Sequence, residues 1–270
     1  MSLPEAGDEA EAELAALLVE ARRTRQPIAR LEDRLVPPDE DAAYRVAARV
    51  AQLRGEGQTG EKVGAWKIGA TALDNLRDLG ASQPIYGRVA ARAIRQSPCR
   101  LRFAELMTPV DECEFAFVLA DDLPAQAEPW SAETLVDRIA ALHPAIEVGE
   151  RRIARTHPVP IAALVADDSA AGHLVLGAAV PDWQRHDLAA AVVTLRIDGV
   201  ERRRGSGREV LGHPLNALAW LANRRAAEGA PLKAGDIVTT GSCTGMTVIA
   251  AGTTHTADFG PLGQVEVSFG

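Results

Sequence analysis

Between Val110 and Leu119 the chain reads Val-Asp-Glu-Cys-Glu-Phe-Ala-Phe-Val-Leu, with two glutamates one residue apart at the head of an apolar run. In an extended strand alternate side chains share a face. Glu112 and Glu114 then line one side with Ala116 and Val118, while Cys113, Phe115, Phe117 and Leu119 line the other. Two carboxylates about 7 Å apart on one face repel, and an unpaired buried carboxylate costs several kcal/mol. A bound cation removes both penalties. Donors that are all oxygen suit a hard ion, Mg²⁺ or Mn²⁺ rather than Zn²⁺. A third acid, Glu147, stands inside the apolar run Pro144-Ala145-Ile146-Glu147-Val148. The same pattern fits strands that begin at a solvated edge, because exposed glutamates are common. The residues alone leave both readings open.

These acids must be carried by strands, and the rest of the chain shows what frames them. Leu14, Leu17, Leu18 and Ala21 recur at helical spacing from Glu9 to Arg23, before Pro27. A second helix is predicted from Asp39 to Arg54, with Asp39, Glu40 and Asp41 at its positive end. Residues 55–62 read as a loop. After Val63 the texture changes to strands at 63–71, 112–120, 144–153, 173–180 and 190–205, the last turning at Asp198-Gly199. Short helices are predicted at 72–79 and 131–141, and a longer one at 213–228. Three short strands, DIVTTGS, TVIAAG and QVEVSF, close the chain. There is no regular strand–helix alternation, which argues for an α+β fold and against a doubly wound sheet. The expected division is an N-terminal helical segment over 1–62 and a catalytic domain over 63–270.

Composition narrows the function classes. Apolar residues make 47% and charged residues 24% of the 270, as in ordinary globular chains. The net charge of −8 disfavours a general nucleic-acid binder. Cys99, Cys113 and Cys243 form no CxxC pair, which argues against a disulfide framework or a thiolate zinc site. No stretch reaches the ~20 apolar residues of a spanning helix, and the acidic start lacks a signal-peptide pattern. The expectation is a cytoplasmic protein without membrane or nucleic-acid partners.

Taken in order, WKIGAT with Lys67, PIYG at 84–87, PVDECEFAFVLADDLP, PAIEVGERRI, VADDSAAGHLVLG, GSGREVLGHPLNALAWLAN, AGDIVTTGS and LGQVEVSF resemble the fumarylacetoacetate hydrolase superfamily. Within it they resemble the 2-oxo-4-pentenoate (2-hydroxypenta-2,4-dienoate) hydratase and oxalocrotonate decarboxylase branch. The resemblance spans nearly the whole chain. It implies mixed curved β-sheets forming a roll or barrel-like core, helices outside, and a homodimer or larger homo-oligomer. It implies Glu112, Glu114 and Glu147 as ligands of Mg²⁺ or Mn²⁺, Lys67 and Ser169 as catalytic residues, and Asp168, Gly241 and Ser242 beside a small 2-oxo or 2-hydroxy acid. The implied activity is metal-dependent hydration of 2-hydroxypenta-2,4-dienoate-type substrates in aromatic catabolism. The alternatives are a 4-oxalocrotonate-type decarboxylase on the same scaffold, or a non-catalytic member that binds a metal and a 2-oxo acid.

Three positions depart from the hydratase pattern. Ile85 stands where hydratases of the branch tend to carry an acid, Asp168 replaces an amide, and Asp111 adds an acid beside the glutamate pair, where it could tighten metal binding. The family's C–C bond hydrolases commonly use a histidine before the metal ligands, and this chain has none before His143. Among other residues, His213 at a helix start reads as structural or as supporting the site. His157, His173, His186 and His255 show no ligand spacing, and Arg202-Arg203-Arg204 reads as a solvated face. Cys113 and Cys243 read as core, and Trp66 as core or pocket wall.

Overall fold

The computed structural model describes residues 6–55, 62–72, 81–154 and 159–270. The helix expected at 72–79 falls almost wholly outside them. Two helices come first, α1 (Ala6–Thr24) and α2 (Glu40–Leu53). The Asp39 carboxylate accepts the Ala42 N–H at 2.8 Å and so caps α2 at the positive end where the sequence places its charge. Strands β1 (Val63–Gly69) and β2 (Ile85–Ala90) follow, then β3 (Ile94–Gln96), β4 (Cys99–Leu101) and β5 (Val110–Leu119). Next come the short α3 (Ala132–Leu135), β6 (Ile139–Gly149), the short α4 (Ile161–Ala166) and β7 (His173–Leu176). The hairpin of β8 (Val192–Ile197) and β9 (Val200–Ser206) precedes α5 (Pro214–Ala227). The chain ends with β10 (Ile237–Thr239), β11 (Thr247–Val248), β12 (Thr254–Asp258) and β13 (Gln264–Phe269).

The strands form two mixed sheets. The larger runs β2-β1-β10-β5-β6-β7-β3, with β11 also paired to β5; the smaller runs β4-β13-β12-β8-β9. The sheets face each other over a core built from Phe115, Phe117, Leu195, Phe259, Val265, Val267 and Phe269. Phe115 and Phe259 meet edge to face with centroids 5.3 Å apart. Strand β5 is central, with β10 on one side and β6 on the other. That position answers the question of a solvated edge. Both faces of β5 are covered, and Ala65, Ala116 and Ala145 form a small-residue cluster on the glutamate side.

Helices α1 and α2 pack into a second core with α4. Leu14, Leu18, Val46 and Val50 meet Ile85, Ile153, Ala163 and Val165 there. Among the described residues no helix is long and apolar enough to cross a membrane. The sequence places a helix over 131–141, but helical structure stops at Arg138. Ile139, Ala141 and Leu142 pair instead with Leu119, Val118 and Phe117, where sheet hydrogen bonds and burial outweigh local propensity. Strand β12 was not read from the sequence at all. Its polar Thr254, Thr256 and Asp258 alternate with buried His255 and Ala257, which leaves few apolar residues to signal it.

Candidate metal centre and substrate cavity

The ladder between β5 and β6 sets Glu112 directly opposite Glu147, with Glu114 two residues along. One carboxylate oxygen from each of Glu112, Glu114 and Glu147 lies within 4.8 Å of the others. Glu114 and Glu147 are buried, and Glu112 is partly exposed. Lys67 on β1 is buried beside them, with Nζ 3.2 Å from Glu147 Oε2 at an angle short of a hydrogen bond. One buried ammonium therefore faces three carboxylates. Glu114 Oε1 and both oxygens of Glu147 accept no hydrogen bond among the described residues. Buried carboxylate lone pairs are seldom left this way, and a cation with oxygen ligands would satisfy them. The donor set thus fits a divalent metal.

The electrostatics express the same excess. Burial raises Glu112 from its ordinary value to about 7; Lys67 opposes that shift and Glu147 reinforces it. Burial, then Glu147 and Glu112, push Glu114 well above the usual carboxylate range. Burial pulls Lys67 down, but the surrounding Glu147, Glu112 and Glu114 outweigh it and hold the amine above its ordinary value.

The loop after β10 follows β5 by backbone bonds: Thr240 N–H to Phe115 O at 3.1 Å and Cys243 N–H to Cys113 O at 2.8 Å. Gly241 between them donates its N–H to Glu114 Oε2 at 2.8 Å, and Ser242, next in the loop, opposes the rise of Glu112. Gly241 has φ 98°, and a Cβ there would lie 2.1 Å from Thr71 Oγ1, so no other residue fits without displacement.

On the opposite wall Asp168, Ser169 and Ala170 all have positive φ, at 51°, 52° and 59°. Left-handed backbone costs a non-glycine residue roughly 1–2 kcal/mol, so this turn must be held from outside. Arg152, fully buried, donates Nε to Asp167 Oδ1 at 2.6 Å and Nη2 to Asp167 O at 2.8 Å. Arg88 and Arg22 pair with Asp168 at 2.9 and 3.7 Å. Gly87 lets the turn approach, because a Cβ there would sit 1.9 Å from Asp168 O. The held turn presents the Ser169 carbonyl to Lys67 Nζ at 3.0 Å, while the Ser169 hydroxyl donates to Tyr86 O at 2.8 Å.

Above this floor is a cavity of about 240 Å³. Lys67, Glu112 and Ser169 give it polar groups; Ile85, Ile153, Val159, Ala163 and Leu164 give it an apolar wall. Arg151 and Met246 also line it, with Arg151 Nη2 3.5 Å from Met246 Sδ.

The structure therefore gathers Lys67, Ser169, Glu112, Glu114, Glu147, Gly241 and Ser242 in one place. Asp168 is adjacent in chain, but its carboxylate points away from the cavity to Arg88 and Arg22. Asp111 is on the face of β5 opposite the glutamates and meets His255 Nδ1 at 2.6 Å, both fully buried. It therefore cannot tighten a metal site as the sequence suggested, and His255, which shows no ligand spacing in the sequence, is its buried partner. His213 caps α5, its Nδ1 accepting the Leu215 N–H at 3.1 Å. Trp66 faces the core, where Tyr86 meets its ring edge and Arg225 lies over it. Sequence reasoning missed Arg22, Arg88 and Arg152, because each sits among other arginines and nothing local marks the buried ones.

Comparison with known proteins shows the family and the fold. Residues 84–269 match the family model described as fumarylacetoacetate (FAA) hydrolase C-terminal. The chain is 37% identical to a 2-keto-4-pentenoate hydratase of Paraburkholderia phymatum, over 95% of this chain and 96% of that one. It is 31% identical to a 2-hydroxyhexa-2,4-dienoate hydratase of Comamonas testosteroni, over 93% and 94%. In fold it is similar to the 4-oxalocrotonate decarboxylase of Pseudomonas putida G7 complexed with magnesium and adipate, with a TM-score of 0.89, 24% identity and 99% of each chain covered.

Proposed function

Because this chain belongs to the fumarylacetoacetate hydrolase family, we propose that it is a metal-dependent hydro-lyase that adds water to 2-hydroxypenta-2,4-dienoate-type substrates, giving 4-hydroxy-2-oxo acids. The observation that carries this reading is the convergence of three carboxylate oxygens within 4.8 Å, beside Lys67, on the floor of a cavity with an apolar wall. Glu112, Glu114 and Glu147 would hold the cation, Mg²⁺ or Mn²⁺. When bound, such a cation supplies Lewis-acid stabilisation of negative charge on the 2-oxygen of the substrate.

The chain's own residues supply the rest. The Gly241 N–H fixes the orientation of Glu114, and Ser242 favours the charged form of Glu112. The Ser169 carbonyl and Glu147 hold the Lys67 ammonium charged at the floor of the cavity, where it can pair with the substrate carboxylate or hold and return a proton. The apolar wall of Ile85, Ile153 and Leu164 seats the hydrocarbon end and limits water to what the reaction consumes. In the overall change the dienol gains a proton at its terminal carbon and loses one from its hydroxyl. Water then adds across the double bond conjugated to the 2-oxo group, hydroxyl to C4 and hydrogen to C3. The working form is proposed to be a homodimer or larger homo-oligomer, as the family resemblance implies.

A second reading, decarboxylation of a 4-oxalocrotonate-type acid on the same scaffold, is favoured by one residue, the apolar Ile85 in the cavity wall. One assay separates the two. Freshly generated 2-hydroxypenta-2,4-dienoate is given to enzyme with Mg²⁺ or Mn²⁺, then with chelator. Metal-dependent loss of dienol absorbance with 4-hydroxy-2-oxopentanoate as product is expected. CO₂ release from oxalocrotonate without hydration would replace the first reading by the second.

A further inference from the structure

A second cavity, of about 350 Å³, lies on the far side of the 167–170 turn from the carboxylates, and its lining is unusual. Seven of its fifteen lining residues are arginines, brought from the end of α1, the end of α2, β2, the β2–β3 connection and β3, and the segment after β6. Its two acids are already engaged: Glu105 pairs with Arg102, and Glu150 accepts the Met107 N–H at 3.0 Å. Arg25 and Arg95 make no ion pair among the described residues; Arg95 donates only to the carbonyls of Arg92 and Ile94. His173 at the base has its Nδ1 sealed from solvent with no hydrogen-bond partner among the described residues. Burial holds His173 below its ordinary value, with Arg95 and Arg92 pushing the same way against Glu150 and Glu105. Burial and the neighbouring Arg152 likewise pull Arg22 down to about 10 against Asp167 and Asp168.

Guanidinium groups converging from several elements on one concave site repel one another, and they are the groups that bind oxyanions through paired N–H donors. We propose that this cavity binds a small multivalent oxyanion, of phosphate or short dicarboxylate type, at a site separate from the carboxylate centre. Arg22, Arg25 and Arg95 bring guanidinium groups to it, with His173 and Arg152 also in its lining. The modest volume suits a compact ligand better than a chain segment. The site also touches the catalytic wall, because Arg22 and Arg152 are the residues that hold Asp167 at the start of the turn presenting Ser169 to Lys67.

The test is calorimetric titration of the full-length, metal-loaded protein with inorganic phosphate and, separately, with succinate, at fixed ionic strength set by NaCl. At least one of them is expected to bind saturably at one site per chain, and the stronger of the two identifies the ligand class. In the double variant Arg25→Gln/Arg95→Gln, both changes being at exposed side chains, binding should weaken at least five-fold while turnover without the anion stays unchanged. Saturating pyruvate, a 2-oxo acid directed to the carboxylate centre, should leave the affinity unchanged. No saturable binding of either anion, undiminished binding in the double variant, or displacement by pyruvate would each overturn the proposal.

Discussion

Glu112→Gln separates the electrostatic cost of the carboxylate centre from its use. The group stands at about 7 in the folded chain, against an ordinary value of 4.5. The folded state therefore binds this proton more tightly than the unfolded state does. Stability from this group is fully present below the ordinary value and is lost as pH rises through about 7. A displacement of that size corresponds to about 3 kcal/mol, all of it felt by pH 8. Glutamine mimics the protonated acid and carries no such cost. In chelator, urea unfolding of wild type and Glu112→Gln should give similar stabilities near pH 4.5. By pH 8 the variant should be the more stable by about 2–3 kcal/mol. Adding Mg²⁺ at pH 8 should reverse the order, because the wild type would gain a cation among three carboxylates and the variant would lack one of the proposed ligands. A metal-free difference that does not change between pH 4.5 and 8, or a wild type that Mg²⁺ fails to stabilise at pH 8, would refute the reasoning.

Three further outcomes test the surroundings. Gly241→Ala forces a Cβ to within 2.1 Å of Thr71 Oγ1 at a φ of 98°; it should cost about 2 kcal/mol in chemical denaturation and weaken Mg²⁺ binding by calorimetry, because the N–H to Glu114 moves with the loop. Lys67→Met should leave a folded, metal-binding protein by circular dichroism and calorimetry, yet lower kcat by about 100-fold or more if the ammonium handles a proton. Arg152→Met removes a fully buried guanidinium from Asp167; a loss of about 3 kcal/mol is expected in urea unfolding, together with a raised KM as the 167–170 turn loses its support.

Much of the fold was legible because its signals are local. Asp39 stands at the start of α2 where its charge suits the helix dipole, the Asp198-Gly199 turn joins β8 to β9, and the alternation in β5 marks the face that meets Phe259. Errors arose where pairing overrode local preference. Residues 139–141 carry helix-favouring alanines yet belong to β6, because β5 lies alongside and needs a partner. β12 is hidden because its inward-facing His255 finds its buried partner, Asp111, on a strand 144 residues away in sequence.

The site shows more sharply what a single sequence withholds. Glu112, Glu114 and Glu147 could be singled out by type and alternation, but whether they meet is a matter of register. A shift of one residue between β5 and β6 would turn Glu147 to the other face. The register that unites them is fixed over nine residue pairs, from Val110↔Gly149 to Val118↔Ala141, most of them apolar. The burial of those apolar residues therefore brings like charges together that electrostatics alone would drive apart. One buried lysine only partly offsets the burial and the repulsion, as the raised Glu112 and Glu114 record. A fold that tolerates this imbalance in its most central strand gains from it only when a cation is present. That is why the orphaned oxygens of Glu114 and Glu147, rather than the motif, make the physical case for a metal centre.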